Sequence, residues 1–320
     1  MTRRESGREE RRGARPVRDG TGSLLDRIDP TVLAVVGSGC TSANGVFVRL
    51  SGANAGTAAF LRCALALVVL VPMALVELRR AGRRPARLLA LDAAAGLLLG
   101  VDYVFWAASI HHVGAGIATV LLNVQVVVFP LLVWAFLGDR ISRGFLASLP
   151  VMLVGLALAA GAVGQGTAAH AGPEGDPWLG LAYGLAAGIT YAGYLFLSRL
   201  AGGRGHTVTP VCVSTATAAV SAGLLGALWS GIDLMSLDAR AWVWLSLLAL
   251  TGQVLTWLLV GSALPRLSAT TGAAVLVLPP VMAVLLGALV LGERATSVQL
   301  VGCALVVLAI VVAQRGSRTT

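Results

Sequence analysis

Ten apolar stretches follow one another between residues 31 and 313, each near the roughly 20 residues that cross a bilayer. They predict helices at 31–48, 55–76, 88–109, 115–137, 144–162, 179–199, 209–228, 241–263, 269–291 and 297–313. In a lipid solvent each such segment must satisfy its own backbone polar groups, so the helix follows from the run of apolar residues. Hydrophobic residues make up 57% of the chain and charged residues 12%. Ordinary soluble domains carry about 25% charged residues. The mean hydropathy of +0.83 leaves no aqueous way to hide the apolar surface.

The stretches are organised as a doubled unit. Residues Gly114 to Arg140 end in Leu137-Gly138-Asp139-Arg140, and residues Ser268 to Arg294 end in Leu291-Gly292-Glu293-Arg294. The two copies superpose without a gap, and a further apolar stretch follows each. Five helices per copy is an odd number, so the second copy enters the membrane the opposite way round. The expected fold is an all-α membrane protein of ten transmembrane helices in two inverted five-helix repeats, with a substrate path between them. The expected divisions are 1–30 as a cytoplasmic tail, 31–164 as the first repeat, 165–177 as an external linker, 178–314 as the second repeat and 315–320 as a second tail.

Charge gives the orientation. The net charge of +9 comes from arginine, as the chain has no lysine. Residues 1–30 hold eight arginines and six acids without apolar periodicity, which reads as a solvated, disordered tail. With that tail inside, the inner connections also hold Arg79, Arg80, Arg83, Arg84, Arg87, Arg140, Arg143, Arg199, Arg204, Arg266, Arg315 and Arg318. The outside keeps Arg240, Arg294 and Arg49. The positive-inside rule therefore places both termini in the cytoplasm of a multi-pass protein of the inner (cytoplasmic) membrane. Trp178, Trp229, Trp242 and Trp244 then fall near the outer interface, where indoles prefer to lie. Arginines in tails and short connections do not form a nucleic-acid face. Cys40, Cys63, Cys212 and Cys303 lie singly in apolar stretches and have neither metal nor redox spacing.

The doubled five-helix unit resembles the EamA repeat of the drug/metabolite transporter superfamily over about residues 31–314. The likeness rests on the two Leu-Gly-acid-Arg ends, Pro280 in the ninth stretch, Gly302 in the tenth and Arg62 opening the second. In the first copy Val126 stands where a proline is usual and Asp139 where glutamate is usual, with Pro130 as the nearest helix breaker. The resemblance implies secondary transport, often export of amino acids or other small metabolites.

Polar residues inside the stretches are the candidate transport path. Asp102 and Arg62 are costly at membrane depth unless paired, hydrated or neutralised. Each lies about 10 Å below the outer end at 1.5 Å per residue, so the two are expected to face each other. Trp106 shares the Asp102 helix face. Asn44, Gln125 and Gln253 are amides that can bind a zwitterionic or polyol solute, or simply join helices. Tyr183, Tyr191 and Tyr194 form a stripe, and with Tyr103 and Trp257 they can line a partly apolar cavity or serve as packing. Pro279 and Pro280 remove two backbone donors and are expected to break the ninth helix near mid-membrane. Gly180, Gly184, Gly188 and Ala192 form a small-residue ridge for close helix packing. His111-His112 reads as an interfacial turn, and Asp139 and Glu293 as favourable charges at the start of the helix that follows each.

No phosphate loop, metal cluster or nucleophile–base pattern is present, so no enzyme, cofactor or metal is expected. The function expected is a secondary transporter of small amphiphilic metabolites, amino acids first, by alternating access with export as the direction. Efflux of cationic drugs is the alternative, and a non-transport membrane scaffold the less favoured class. Partners are the solute, the bilayer and protons as the candidate coupling ion, with the protein a monomer or homodimer. We expect a cysteine at Glu174 (Glu174→Cys) to be labelled from outside intact cells and one at Arg83 (Arg83→Cys) to be protected. The reverse labelling pattern would overturn the orientation.

Overall fold

A computed structural model describes residues 28–138, 143–160, 176–202, 205–257, 259 and 269–316. The tail before residue 28, Asp139, the connection 165–175 and residues 317–320 lie outside the described residues. All regular elements among the described residues are helical. We label them α1 (Pro30–Ser51), α2 (Ala55–Ala81), α3 (Ala86–Val113), α4 (Ala115–Leu137), α5 (Arg143–Ala159), α6 (Pro177–Ala201), α7 (Val208–Trp229), α8 (Ala239–Leu255), α9 (Ala269–Leu291) and α10 (Ser297–Gly316). Six of these, α1–α4, α6 and α7, are long and apolar enough to cross a bilayer, and α5, α8, α9 and α10 contribute shorter apolar stretches.

Local chemistry sets the ends. Asp29, Asn54, Asp176 and Asp238 cap α1, α2, α6 and α8 by accepting from backbone N–H groups of the first turn. Both α1 and α6 open with Asp-Pro, Asp29-Pro30 and Asp176-Pro177, so the two halves begin with the same device. The repeated Leu-Gly-acid ends are also explained. Gly138 (φ 73°) and Gly292 (φ 67°) end α4 and α9 in the left-handed region, which a side chain would oppose.

Packing follows a two-fold plan. The counterparts α2 and α7, α4 and α9, and α5 and α10 each pack together. The main contacts between helices not adjacent in the chain come in matched pairs: α3–α6 with α1–α8, α1–α9 with α4–α6, and α3–α7 with α2–α8. Counterparts run in opposite directions. At one end of the α2–α7 pair Gly56 N–H donates to Ser230 Oγ at 3.0 Å, and at the other Glu77 accepts from the N–H groups of Thr207, Val208 and Thr209 at 2.6, 2.9 and 2.6 Å. Gly116 at the start of α4 meets Val284 late in α9, and Gly302 early in α10 meets Ala159 at the end of α5. The second half is therefore an inverted copy of the first.

Small residues permit these approaches, because lipid supplies no hydrophobic drive between helices. Gly96 and Gly100 of α3 lie against Ser214, Ala218 and Ser221 of α7. The ridge on α6 does pack: Gly180 meets Val113, Gly184 meets Leu121, and Gly188 meets Leu122 and Val124. Large side chains such as Val68, Phe136, Leu228 and Leu289 point outward, as lipid-facing positions require.

Three expectations are corrected. Pro279 and Pro280 do not break α9, which runs as one helix from Ala269 to Leu291 through both. The change there is the loss of two donors within a continuous helix. In the first copy the irregularity is not at Pro130 but at Leu122–Val124, a 3₁₀ turn where the Asn123 side chain donates to Thr119 O at 2.8 Å. Glu293 also acts elsewhere than expected. It caps α4 of the other half, accepting from Ala115 N–H at 2.8 Å and Gly116 N–H at 3.2 Å, rather than α10 that follows it. Glu293→Ala should lower unfolding stability by about 1–2 kcal/mol, with Glu293→Gln intermediate. Detergent unfolding curves of the purified variants would check this, and equal stability of all three would remove the cap from the account.

Candidate functional site

The site is built around an irregular turn in α8. From Leu250 to Leu255 the helix widens to a π turn, a feature that inserts a residue and often marks functional positions. Gly252 allows it, since any side chain there would collide with the Asn44 amide of α1. Thr251 Oγ1 donates to Leu247 O at 2.7 Å and Thr256 Oγ1 to Thr251 O at 2.9 Å, so hydroxyls take up part of the displaced ladder. The Gly252 carbonyl accepts from Arg62 Nη2 at 3.3 Å.

Arg62 is buried between helices α2, α3 and α8. Its Cζ lies 3.9 Å from the Tyr103 ring centroid and 5.7 Å from that of Trp106. The aromatic faces carry negative quadrupole density, which stabilises a desolvated guanidinium. Tyr103 is fixed in turn: its hydroxyl donates to Gln253 Oε1 at 2.6 Å, and Gln253 Nε2 donates to Thr215 Oγ1 at 2.9 Å. Gln253 is fully buried, so this chain satisfies an amide that would otherwise be costly.

The expected facing of Arg62 and Asp102 does not appear as an ion pair. No nitrogen–oxygen approach within 4 Å joins them, and the Arg84–Asp92 ion pair lies elsewhere. Arg62 instead spends its planar cation on two rings and a carbonyl, while Asp102, one residue before Tyr103, leaves Oδ1 without a hydrogen-bond partner. Arg62 Nε, Trp106 Nε1 and Asn44 Oδ1 are likewise buried and unpartnered. Residues from α1, α2 and α3 thus leave donors and acceptors unused in an apolar interior. Such groups cost free energy until a polar solute or water meets them.

Towards the ends of helices that meet at Arg84, Gly202 and His206, a cavity of about 330 Å³ opens. Leu70, Tyr194, Val254 and Trp257 form its apolar wall, and Ser198, Thr207 and Ser214 its polar wall. Tyr191 stacks on Tyr194 at 5.7 Å, and Tyr194 meets Trp257 edge-on at 5.9 Å. The predicted aromatic group is therefore divided: Tyr191, Tyr194 and Trp257 belong with the cavity, while Tyr103 and Trp106 hold Arg62. Tyr183 joins a third cluster with Phe105, Trp229 and His112, centroids 5.1–6.0 Å apart, at the opposite end of the bundle. His112 is buried there rather than forming an exposed interfacial turn. Beside that cluster the Gly56 and Gly226 backbones are in contact.

Gln125, in α4, is half-buried with Oε1 unpartnered, and lies outside the contacts that join the other amides. Pro279 O accepts from Ser42 Oγ at 3.1 Å, tying α9 to α1. Arg84, Asp92 and Thr215 were not singled out by sequence reasoning. Asp92 follows Arg84 by eight residues across a helix start, a spacing that carries no recognised signal, and Thr215 is one of many hydroxyls in apolar helices. Among the described residues no group of three His, Cys, Asp or Glu side chains could hold a metal.

Known proteins share this arrangement. The model of the EamA-like transporter family matches residues 30–161 and, a second time, residues 178–314. A solved structure described only as "Crystal structure of protein" is 20% identical, covers 91% of this chain and 98% of its own, and superposes with a TM-score of 0.60. At that identity the likeness is one of fold. No curated protein matches the chain in sequence.

The Tyr103–Gln253–Thr215 chain yields a direct expectation. Tyr103→Phe keeps the ring under Arg62 but strands Gln253 Oε1, which should lower stability by about 1–3 kcal/mol. Unfolding titrations of the variant against the parent protein check it; an unchanged midpoint would mean that the bond contributes nothing net.

Proposed function

The chain belongs to the EamA-like transporter family, and on that premise we propose that it moves small amphiphilic metabolites across the cytoplasmic membrane by alternating access. Membership makes it a multi-pass membrane transporter of the drug/metabolite superfamily. The proposal adds a solute class, a mechanism and a direction: amino-acid-like molecules, secondary transport and export. In this reading all ten helices span the membrane, both termini are cytoplasmic, and residues 31–164 and 178–314 are the two repeats. The protein works as a monomer or homodimer.

One observation carries the reading. A cavity of about 330 Å³ opens at one end of an apolar bundle, and recesses of about 360 and 400 Å³ lie at the opposite end, beside Glu293 and beside Asn54 and Asp233. Between the two lies the group of buried polar atoms around Arg62, Asp102 and Trp106. Recesses at both ends, with buried polar groups between them, suit a carrier whose path runs between the two halves. The inverted counterparts supply the exchange, because a two-fold plan lets either half take the other's arrangement. Asn44, Gln125 and Gln253 serve the solute path, and α9 with Pro279 and Pro280 is its deformable wall. Asp102 is the residue for a coupling proton, being a buried carboxyl with an unpartnered oxygen.

Cationic drug efflux fits less well. Arg62 is a fixed interior cation, and a second cation in the same low-dielectric space would be repelled. Among the described residues no catalytic constellation supports an enzymatic reading, and a scaffold has no use for buried polar atoms left without partners.

Purified protein in liposomes should take up labelled L-phenylalanine. Arg62→Ala should reduce the initial rate at least about tenfold, equivalent to about 1.4 kcal/mol at the transition state. Asp102→Asn should flatten the pH dependence of uptake while leaving binding intact. Absence of flux in the parent protein, with correct folding, would sink the transport reading.

A further inference from the structure

The inner cavity contains a second charged site, away from Arg62. Arg84, in the connection between α2 and α3, donates from Nε to Asp92 Oδ2 at 2.7 Å and from Nη2 to Asp92 Oδ1 at 3.2 Å. Nη2 also donates to the Gly202 and Ala201 carbonyls at 3.0 and 3.5 Å, at the end of α6. Arg84 is 4% exposed and Asp92 3%. Both side chains line the cavity, as does His206. His206 Nε2 lies 3.0 Å from the Gly82 carbonyl, and a carbonyl only accepts, so Nε2 carries the proton. Two polar atoms of this group are buried without partners: Arg84 Nη1, a donor, and His206 Nδ1, an acceptor in the neutral ring.

We propose that Arg84, Asp92 and His206 form a binding subsite at the mouth of the cavity that admits a head group whose own charges cancel, a carboxylate beside an ammonium, and rejects singly charged molecules. The inference rests on the transport reading for its purpose but not for its chemistry. The Arg84–Asp92 pair is a buried dipole with zero net charge. A zwitterion can lie antiparallel to it, with its carboxylate on Arg84 Nη1 and its ammonium towards His206 Nδ1 and the Asp92 oxygens. The site then stays neutral when filled. A lone ammonium or a lone carboxylate would leave one uncompensated charge in a low-dielectric wall, which is the costlier state. The α6 carbonyls that hold Arg84 add partial negative charge, so a lone carboxylate is the least favoured of the three. Leu70, Val254, Tyr194 and Trp257 receive the apolar remainder, and the cavity volume suits a molecule with one ring.

Three probes share one skeleton and differ only in charge: L-phenylalanine, 2-phenylethylamine and 3-phenylpropionate. Equilibrium binding to the full-length protein in lipid nanodiscs should be at least about tenfold tighter for phenylalanine than for either other probe. Asp92→Asn leaves Arg84 uncompensated and should turn the preference towards 3-phenylpropionate. Arg84→Gln should turn it towards 2-phenylethylamine. The double variant Arg84→Gln with Asp92→Asn, which keeps the shape without buried charge, should fold and bind the three probes alike. Equal binding of the probes by the parent protein, binding of none, or an unchanged preference in the folded double variant would overturn the subsite. Liposome flux separates this from the transport reading: flux without discrimination removes the subsite alone, and discrimination without flux removes transport alone.

Discussion

Inside a membrane bundle every polar group must find its partner within the protein, and apolar surface supplies no force to bring helices together. The rest of the structure depends on that constraint. Helices approach through glycine at Gly56, Gly96, Gly100, Gly180 and Gly184, where backbones come near enough for dispersion to act. Hydroxyls bond back to carbonyls one turn earlier, as Ser42 and Thr119 do. The few strong polar groups are placed where several helices can answer them. Arg62 is answered by two aromatic faces and a carbonyl released into a widened turn. Where the answer is incomplete, as at Asp102, the interior keeps an unused valence, and that is where a solute has something to bind.

Much of the architecture could be read from residues alone. Apolar length located the helices, and the repeated Leu-Gly-acid-Arg ends located the doubling, because left-handed glycine at Gly138 and Gly292 is a local requirement. The small-residue ridge on α6 was legible for the same reason: glycine at four-residue spacing has a single face. The partners of polar side chains were not legible. Depth arguments placed Arg62 and Asp102 at one level, but depth says nothing of rotation about a helix axis, and a π turn in α8 changed what Arg62 could reach. That turn depends on Gly252 meeting Asn44, a contact between residues of opposite halves. Arg84 and Asp92 escaped for a related reason. Arg84 reads as one of several arginines in an inner connection and Asp92 carries no signal of its own; only the end of α6, folded over them, makes the pair buried.

The two halves share a plan without being identical. The first half's irregular turn is tightened, at Leu122–Val124, and the second half's is widened, at Leu250–Leu255, and they fall in helices that are not counterparts. Exchange of arrangements between the halves is therefore approximate, and the charged groups are distributed unevenly along the path. Arg62 and the Arg84–Asp92 pair both belong to the first half, whereas the amide that orders Tyr103 belongs to the second.

Glu293 joins the halves at the end opposite the Arg84 cavity, with its carboxylate on the first two N–H groups of α4. Any motion that parts α4 from the end of α9 strips those N–H groups and that carboxylate of each other at once. In a dry gap both would stand bare. In a wet one water replaces each partner at little loss. Opening at that end is therefore tied to hydration: the gap can widen only as fast as water enters it, so wetting and opening become a single event.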